Sequence, residues 1–252
     1  MTRPRITALL LLALLFTSTL VAQTGYDIAK MIDERKQPED MVADMTMILT
    51  ARTGSQRTLT VHSVRKGEDK QIIWFLAPAD DRGVAFLKIE YEDREDEMRM
   101  WLPSFKKMRR ISSSKKGESF MGSDLSYEDM TTRNLDEYTY ELKGEESLDG
   151  DQVWVLESIP IPELRSSYSR IISWVRQSDV MPLKEEYYDR AGNLLKVRIL
   201  EVEAVKEYSI PVRMFVRNLQ KEHSTELLFD NVELDTGVGD DLFHERNLQR
   251  LP

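Results

Sequence analysis

The chain has 252 residues, and 44 Asp and Glu against 35 Lys and Arg give it a formal net charge of −9 at pH 7. That balance argues against nucleic acid as a partner and against electrostatic adhesion to anionic lipid, both of which draw on an excess of basic side chains. The sequence holds no cysteine, so it has no disulfide, no thiolate metal site and no residue for lipid modification, and its fold must be held by its core.

Residues 1–22 read as an export signal. Arg3 and Arg5 supply the positive start, 8–16 is an unbroken apolar run, and 17–22 is a cleavage region with the cut after Ala22. The apolar run is shorter than the ~20 residues that span a bilayer, and no later stretch is apolar enough to cross one. The remainder, 23–252, fits a single β domain, since sandwiches and barrels run to ~200–250 residues.

Residues 24–37 read as an amphipathic helix, with Thr24 and Asp27 as a capping pair, Ile28, Met31 and Ile32 on one face, and Pro38 as the stop. From Asp40 onward the period is that of strands. Segments 41–52 and 56–66 flank the turn Thr53-Gly54-Ser55. Segment 71–76 is apolar on both faces, as for a central strand, and 84–91 follows the turn Asp80-Asp81-Arg82-Gly83. In 98–102, Met98, Met100 and Leu102 point one way and Arg99 and Trp101 the other; 106–111 is the return strand. After a long polar loop come 137–143, 152–160, 167–177, 183–189, 194–206, 208–219 and 225–234. Asp240 then caps a closing helix over 240–250, with Leu242, Phe243 and Leu248 as its apolar side. Short connections without intervening helices describe an antiparallel meander of about ten to eleven strands. Pattern alone leaves sandwich and open barrel equally matched.

The loop after residue 111 is unusual. Ser112 to Lys116 are small or basic, Phe120-Met121-Gly122 is an isolated apolar knob, and Ser123-Asp124 are placed to cap a short helix through Asp129. Loops of this length in compact domains are commonly functional or disordered.

The run WLP(x)6RIS(x)7FMGSD(x)2YED, residues 101–129, and the preceding FLAPADDRGVAFL, residues 75–87, resemble the signature of periplasmic LolA-like proteins. These are outer-membrane lipoprotein-sorting proteins, in the branch that often accompanies RND-type exporters. The resemblance covers most of 23–252 and is densest between Phe75 and Asp129. It implies an incomplete antiparallel β-barrel with helices covering its mouth. It also implies binding of a lipid or lipoprotein acyl chain without catalysis or cofactor, and transient contact with membrane proteins such as an inner-membrane transporter. It decides between sandwich and barrel.

Other chemistry finds little support. His62, His223 and His244 have no paired spacing that would suit a metal. Gly122-Ser123-Asp124 lacks a base assignable to a nucleophile, and a helix cap accounts for the same residues. Asp80/Asp81, Glu128/Asp129 and Glu185/Glu186 could serve glycoside hydrolysis, but turn and surface roles account for them.

Methionines in the paired segments suit a surface that accepts apolar partners of varied shape. Met45, Met47, Met98, Met100 and Leu102 are expected to face a cavity. Residues 112–129 are expected to gate it, with Phe120 and Met121 as the apolar foot, Gly122 as a turn, Ser123 and Tyr127 beside it, and Arg109 and Arg110 at the hinge pairing with Asp124, Glu128 or Asp129. The expected function is a periplasmic carrier or chaperone for acyl chains, rivalled by a non-carrying accessory subunit of an RND-type transporter and, more distantly, by a hydrolase.

Overall fold

The computed structural model describes residues 23–252; the export signal read at 1–22 lies outside them. The strands are β1 (Asp40–Thr50), β2 (Gln56–Lys66), β3 (Lys70–Ala77), β4 (Ala85–Ile89), β5 (Glu97–Leu102), β6 (Lys107–Arg110), β7 (Tyr138–Leu148), β8 (Asp151–Pro160), β9 (Tyr168–Arg176), β10 (Met181–Asp189), β11 (Leu194–Val205), β12 (Tyr208–Asn218) and β13 (His223–Leu234). All thirteen join one antiparallel sheet in the order β6-β5-β4-β3-β2-β1-β13-β12-β11-β10-β9-β8-β7. The count of ten to eleven was low because each alternating segment is a strand of its own.

This order places the site. The first and last strands pair in the middle of the sheet, Met45 with Phe229 and Met47 with Leu227. The two edges, β6 and β7, are consecutive in sequence and do not pair with each other. The barrel is therefore incomplete, and residues 111–137 run from one edge to the other. Both edges carry charge, Lys107, Arg109 and Arg110 on one and Glu141, Lys143, Glu145 and Glu146 on the other, which discourages pairing with a foreign strand.

Alternation explains the inner face. In β1, Met45, Met47 and Leu49 are buried on one side and pack with Leu59, Val61, Phe75, Phe86 and Leu227. β3 is buried on both faces because its outer residues Ile72 and Trp74 lie under Phe243 and Leu248 of the C-terminal tail. That tail is not the expected helix over 240–250 but two 3-10 turns, Asp240–Leu242 and Glu245–Gln249. The Asn247 side-chain amide donates to the carbonyls of Asp241 and Leu242, both at 2.9 Å, taking acceptors that a continuing helix would give to backbone N–H groups. The tail covers the outside of β2–β5 and does not cap the barrel mouth.

Among the described residues the one α-helix is α1 (Gly25–Asp33). Thr24 caps it reciprocally: Asp27 N–H donates to Thr24 Oγ1 at 3.1 Å, and Thr24 N–H donates to Asp27 Oδ2 at 2.9 Å. It ends before the expected Gln37. Its Ile28 and Ala29 pack on Trp154, Leu156 and Val175. A Cβ at Gly25 would stand 2.8 Å from the backbone of Glu141, so glycine lets the helix start press directly on β7.

Candidate functional site

Residues 111–137 join the two sheet edges, and part of the segment, between Phe120 and Leu135, lines the hollow of the sheet. Ile111 N–H donates to Met98 O at 2.9 Å, and the run 112–119 then lies mostly exposed. A tight loop follows, closed by Phe120 N–H to Leu125 O at 2.7 Å and by a bridge between Ser119 and Ser126. Met121 and Gly122 take positive φ, 52° and 80°, the second being backbone that glycine adopts at little cost. The Phe120 ring enters an aromatic cluster: Phe86 at 5.2 Å edge-on, Tyr127 at 5.8 Å and Phe75 at 5.9 Å. Phe120 is buried and Met121 packs against the same cluster half-buried.

Polar bonds hold the remainder of the segment to distant strands. Asp124 Oδ2 accepts from Thr225 Oγ1 at 2.8 Å and lies 2.7 Å from His223 Nδ1; its own N–H donates to Thr225 Oγ1 at 2.9 Å. Asp129 takes the Lys196 ammonium, the Tyr168 hydroxyl at 2.8 Å and the Ser126 N–H at 2.6 Å. Burial would raise the Asp129 pKa, but the Lys196 charge and these hydrogen bonds lower it below the ordinary value. Glu128 accepts from Ser167 N–H at 2.9 Å. Arg133 clasps Glu185 with two bonds, 2.7 and 3.0 Å, and donates to the Tyr187 hydroxyl at 2.9 Å. Burial raises the Glu185 pKa, but Arg133 and Arg198 outweigh it and hold the carboxylate well below the usual range.

Ser123 and Asp124 cap no helix, since the helix expected through Asp129 is a single 3-10 turn, Glu128–Met130. Ser123 Oγ instead donates to Phe120 O at 2.6 Å and ties the tight loop. Arg109 and Arg110 do not meet Asp124, Glu128 or Asp129. They pair with Glu118 at 2.7 Å and Glu95 at 3.0 Å on the surface, because Asp124 and Asp129 are already held by partners on β9, β11 and β13 and Glu128 by Ser166 and Ser167 just before β9.

Between the inner sheet face, α1 and this segment lies a cavity of about 430 Å³, within the ~300–1,000 Å³ of small-molecule pockets. Met45 and Met47 line it, together with Phe120, Leu125, Leu200, Leu227 and Phe229. Met98 and Met100 do not reach it. They lie in the apolar cluster beneath Phe120 and Tyr127, where the Tyr127 hydroxyl is 3.9 Å from Met100 Sδ. Leu102 packs half-buried at the margin of that cluster. Glu185, expected to be a surface carboxylate, is instead buried in an aromatic and polar wall from β7–β11 that includes Tyr138, Tyr187 and Arg198, none of them expected at the site. Only the alternation of Glu185 and Tyr187 on one strand face hinted at it.

The model of a family described as "-like: Uncharacterized protein" matches residues 67–250. The chain is similar in structure to a DUF1329 family protein from Desulfovibrio piger, with 32% identity, 89% of this chain and 98% of that chain covered, and a TM-score of 0.85. A structure described as a candidate outer membrane lipoprotein-sorting protein domain from Vibrio parahaemolyticus shares 32% identity over 90% of this chain and 98% of its own, with a TM-score of 0.82. A LolA superfamily protein from Nitrosomonas europaea is 22% identical, with 90% and 100% covered and a TM-score of 0.71, and shares the fold. No curated protein matches the chain.

Proposed function

Since the chain belongs to the LolA-like family of outer-membrane lipoprotein-sorting proteins, we propose that it is a periplasmic carrier that binds the acyl chain of a lipid or lipoprotein in the cavity of its open barrel. Residues 1–22 would export it and be removed, leaving 23–252 as one binding domain. The observation that supports this most is the cavity itself: an apolar hollow faced by Met45, Met47, Leu200 and Leu227 at the concave side of a sheet whose edges never meet. Each methylene moved into it from water is worth ~0.8 kcal/mol, so a chain of about ten needs no polar recognition to bind and no covalent step to leave.

Phe120, Met121, Gly122, Ser123, Asp124, Tyr127 and Asp129 form the gate in this reading. Phe120 and Tyr127 lie over Met98 and Met100, so lifting them would join the methionines expected in the wall, and Leu102 at their margin, to the cavity. Arg109 and Arg110 belong to the exposed hinge before it.

Native mass spectrometry of the protein purified from its own host is expected to show a co-purified lipid mass. A fluorescent fatty acid is expected to bind the emptied protein, and Met47→Asp to weaken that binding by about tenfold or more, as a carboxylate would have to enter apolar surroundings. A clean apo mass together with no fatty-acid uptake by the native chain would overturn the carrier reading and favour a non-carrying role beside a membrane transporter.

A further inference from the structure

Six basic side chains line the cavity, and four are spoken for. Lys36 pairs with Glu207, Lys88 with Glu90, and both Arg133 and Arg198 with Glu185. Arg35 and Arg65 differ. No carboxylate of the described residues lies within 4.0 Å of either guanidinium. Among the described residues Arg35 reaches only the Met181 sulfur, at 3.2 Å, and the Arg65 side chain makes no hydrogen bond. Each guanidinium offers five N–H donors. Desolvation lowers the pKa of both, and Arg35 lies near enough to lower that of Arg65 further. The acid that faces both is Glu68, an exposed carboxylate bonded to the Gln37 side chain. Asp33, also in the wall, has its pKa raised by burial and by Glu68. Two like charges kept together, half-buried and without hydrogen-bonded counter-charge, describe a place prepared for an anion.

Register shows which way a ligand would run. On β2, Arg65, Ser63, Val61 and Leu59 share one face, and on β1 their partners are Met41, Ala43, Met45 and Met47. The row passes from guanidinium to small residues to buried apolar side chains. Six residues of strand, ~20 Å, separate the charged end from Leu59.

We propose that Arg35 and Arg65 anchor an anionic end group, a carboxylate or a phosphate oxyanion, of a cargo whose acyl chain runs inward past Met45 and Met47. This rests on the carrier reading and adds to it a class of cargo: anionic, single-ended amphiphiles rather than neutral ones. The acidic exterior keeps the protein off anionic membranes, while the two arginines admit the same charge inside.

The test is competition against a fluorescent fatty acid in the full mature chain, using palmitate, methyl palmitate, lysophosphatidic acid and inorganic phosphate. The native protein is expected to bind palmitate or lysophosphatidic acid at least about tenfold more tightly than the ester, the size of one charge-assisted hydrogen bond. Which of the two acids wins identifies carboxylate or phosphate. Displacement by inorganic phosphate alone would instead show a site for the free ion and overturn the amphiphile. Arg35→Gln/Arg65→Gln is expected to erase the preference and leave ester binding unchanged, and Arg35→Lys/Arg65→Lys to restore part of it. Equal binding of acid and ester by the native protein, or a preference that survives the double Gln variant, would overturn the anchor while leaving the carrier intact. A preference seen only in Glu68→Gln would show that Glu68 satisfies the arginines, and would also overturn it. Failure of all the chain-bearing ligands would remove the carrier reading and the anchor together.

Discussion

Lys196 and Asp129 are almost wholly enclosed, with side chains 3% and 2% exposed, and they fasten the central segment to β11. A buried pair is poor evidence of net stability, but breaking one side of it is expensive because a charge is left without a partner. Lys196→Met is therefore expected to lower the unfolding free energy by ~3–5 kcal/mol in a denaturant titration. The double variant Lys196→Met/Asp129→Leu is expected to regain most of that loss, and a double variant as unstable as the single one would contradict this account. The acid side of the stability profile follows from the same groups. Asp129 and Glu185 have lowered pKa values in the fold, so the unfolded chain binds their protons first as pH falls. Their contribution is complete above the ordinary carboxylate values of 3.8 and 4.5 and is lost as pH drops below them toward the folded values. The melting temperature should stay flat from neutral pH down to that window and then fall, with a shallower fall in Glu185→Gln.

At the scale of elements, strands were legible and irregular segments were not. The period of two in β1, β2 and β5 survives into the structure because one face of each meets the core, and a slip of one residue would expose Met45 and Met47. The capping box of α1 was legible because it is local: Thr24 and Asp27 need only each other. The C-terminal tail misled because Leu242, Phe243 and Leu248 are spaced like a helix face, whereas its turns are set by Asn247 and by the outer surface of β3 and β4. Residues 120–133 misled for a related reason. The partners that fix them, Tyr168, Glu185, Lys196 and Thr225, lie from 39 to 101 residues later, and no local pattern announces such a match. Arg35 and Arg65 were equally silent, since a sequence does not tell a half-buried arginine without a partner from a solvated one. The tail's place outside the barrel separates stability from binding. Phe243→Ala should reduce stability by ~3–5 kcal/mol yet leave fatty-acid affinity unchanged in the native pH range, because Phe243 packs on Trp74 and Leu87 behind the sheet. A parallel loss of affinity would mean that the outer layer shapes the cavity.

For the whole molecule, the decisive feature is that the two sheet edges are joined by a segment that enters the hollow between them. An open barrel with an apolar interior would expose a patch that invites association; Phe120, Leu125 and Tyr127 fill part of that interior from within. Opening has a definite cost. The exposed pair Arg109–Glu118 contributes ~0–1 kcal/mol, too little to decide anything. Taking Phe120 out of its aromatic cluster costs about 1.5–3 kcal/mol of lost burial, which roughly two to four methylenes at ~0.8 kcal/mol each would replace, and freeing Asp124 from Thr225 adds to that cost. Cargo longer than that can displace the Phe120 ring, whereas shorter chains must share the cavity with it. The segment can be held in place to test this. Thr225 Oγ1 and Asp124 Oδ2 are 2.8 Å apart, so Asp124→Cys/Thr225→Cys puts two thiols side by side in a chain with no other cysteine. The oxidised variant is expected to take up a fluorescent long-chain fatty acid more slowly and less tightly than the same protein after reduction, with short-chain ligands affected least. Equal uptake of long chains by the fully cross-linked and the reduced protein would show that cargo enters without moving this part of the segment, and would leave the cavity of about 430 Å³ as the whole of the binding space.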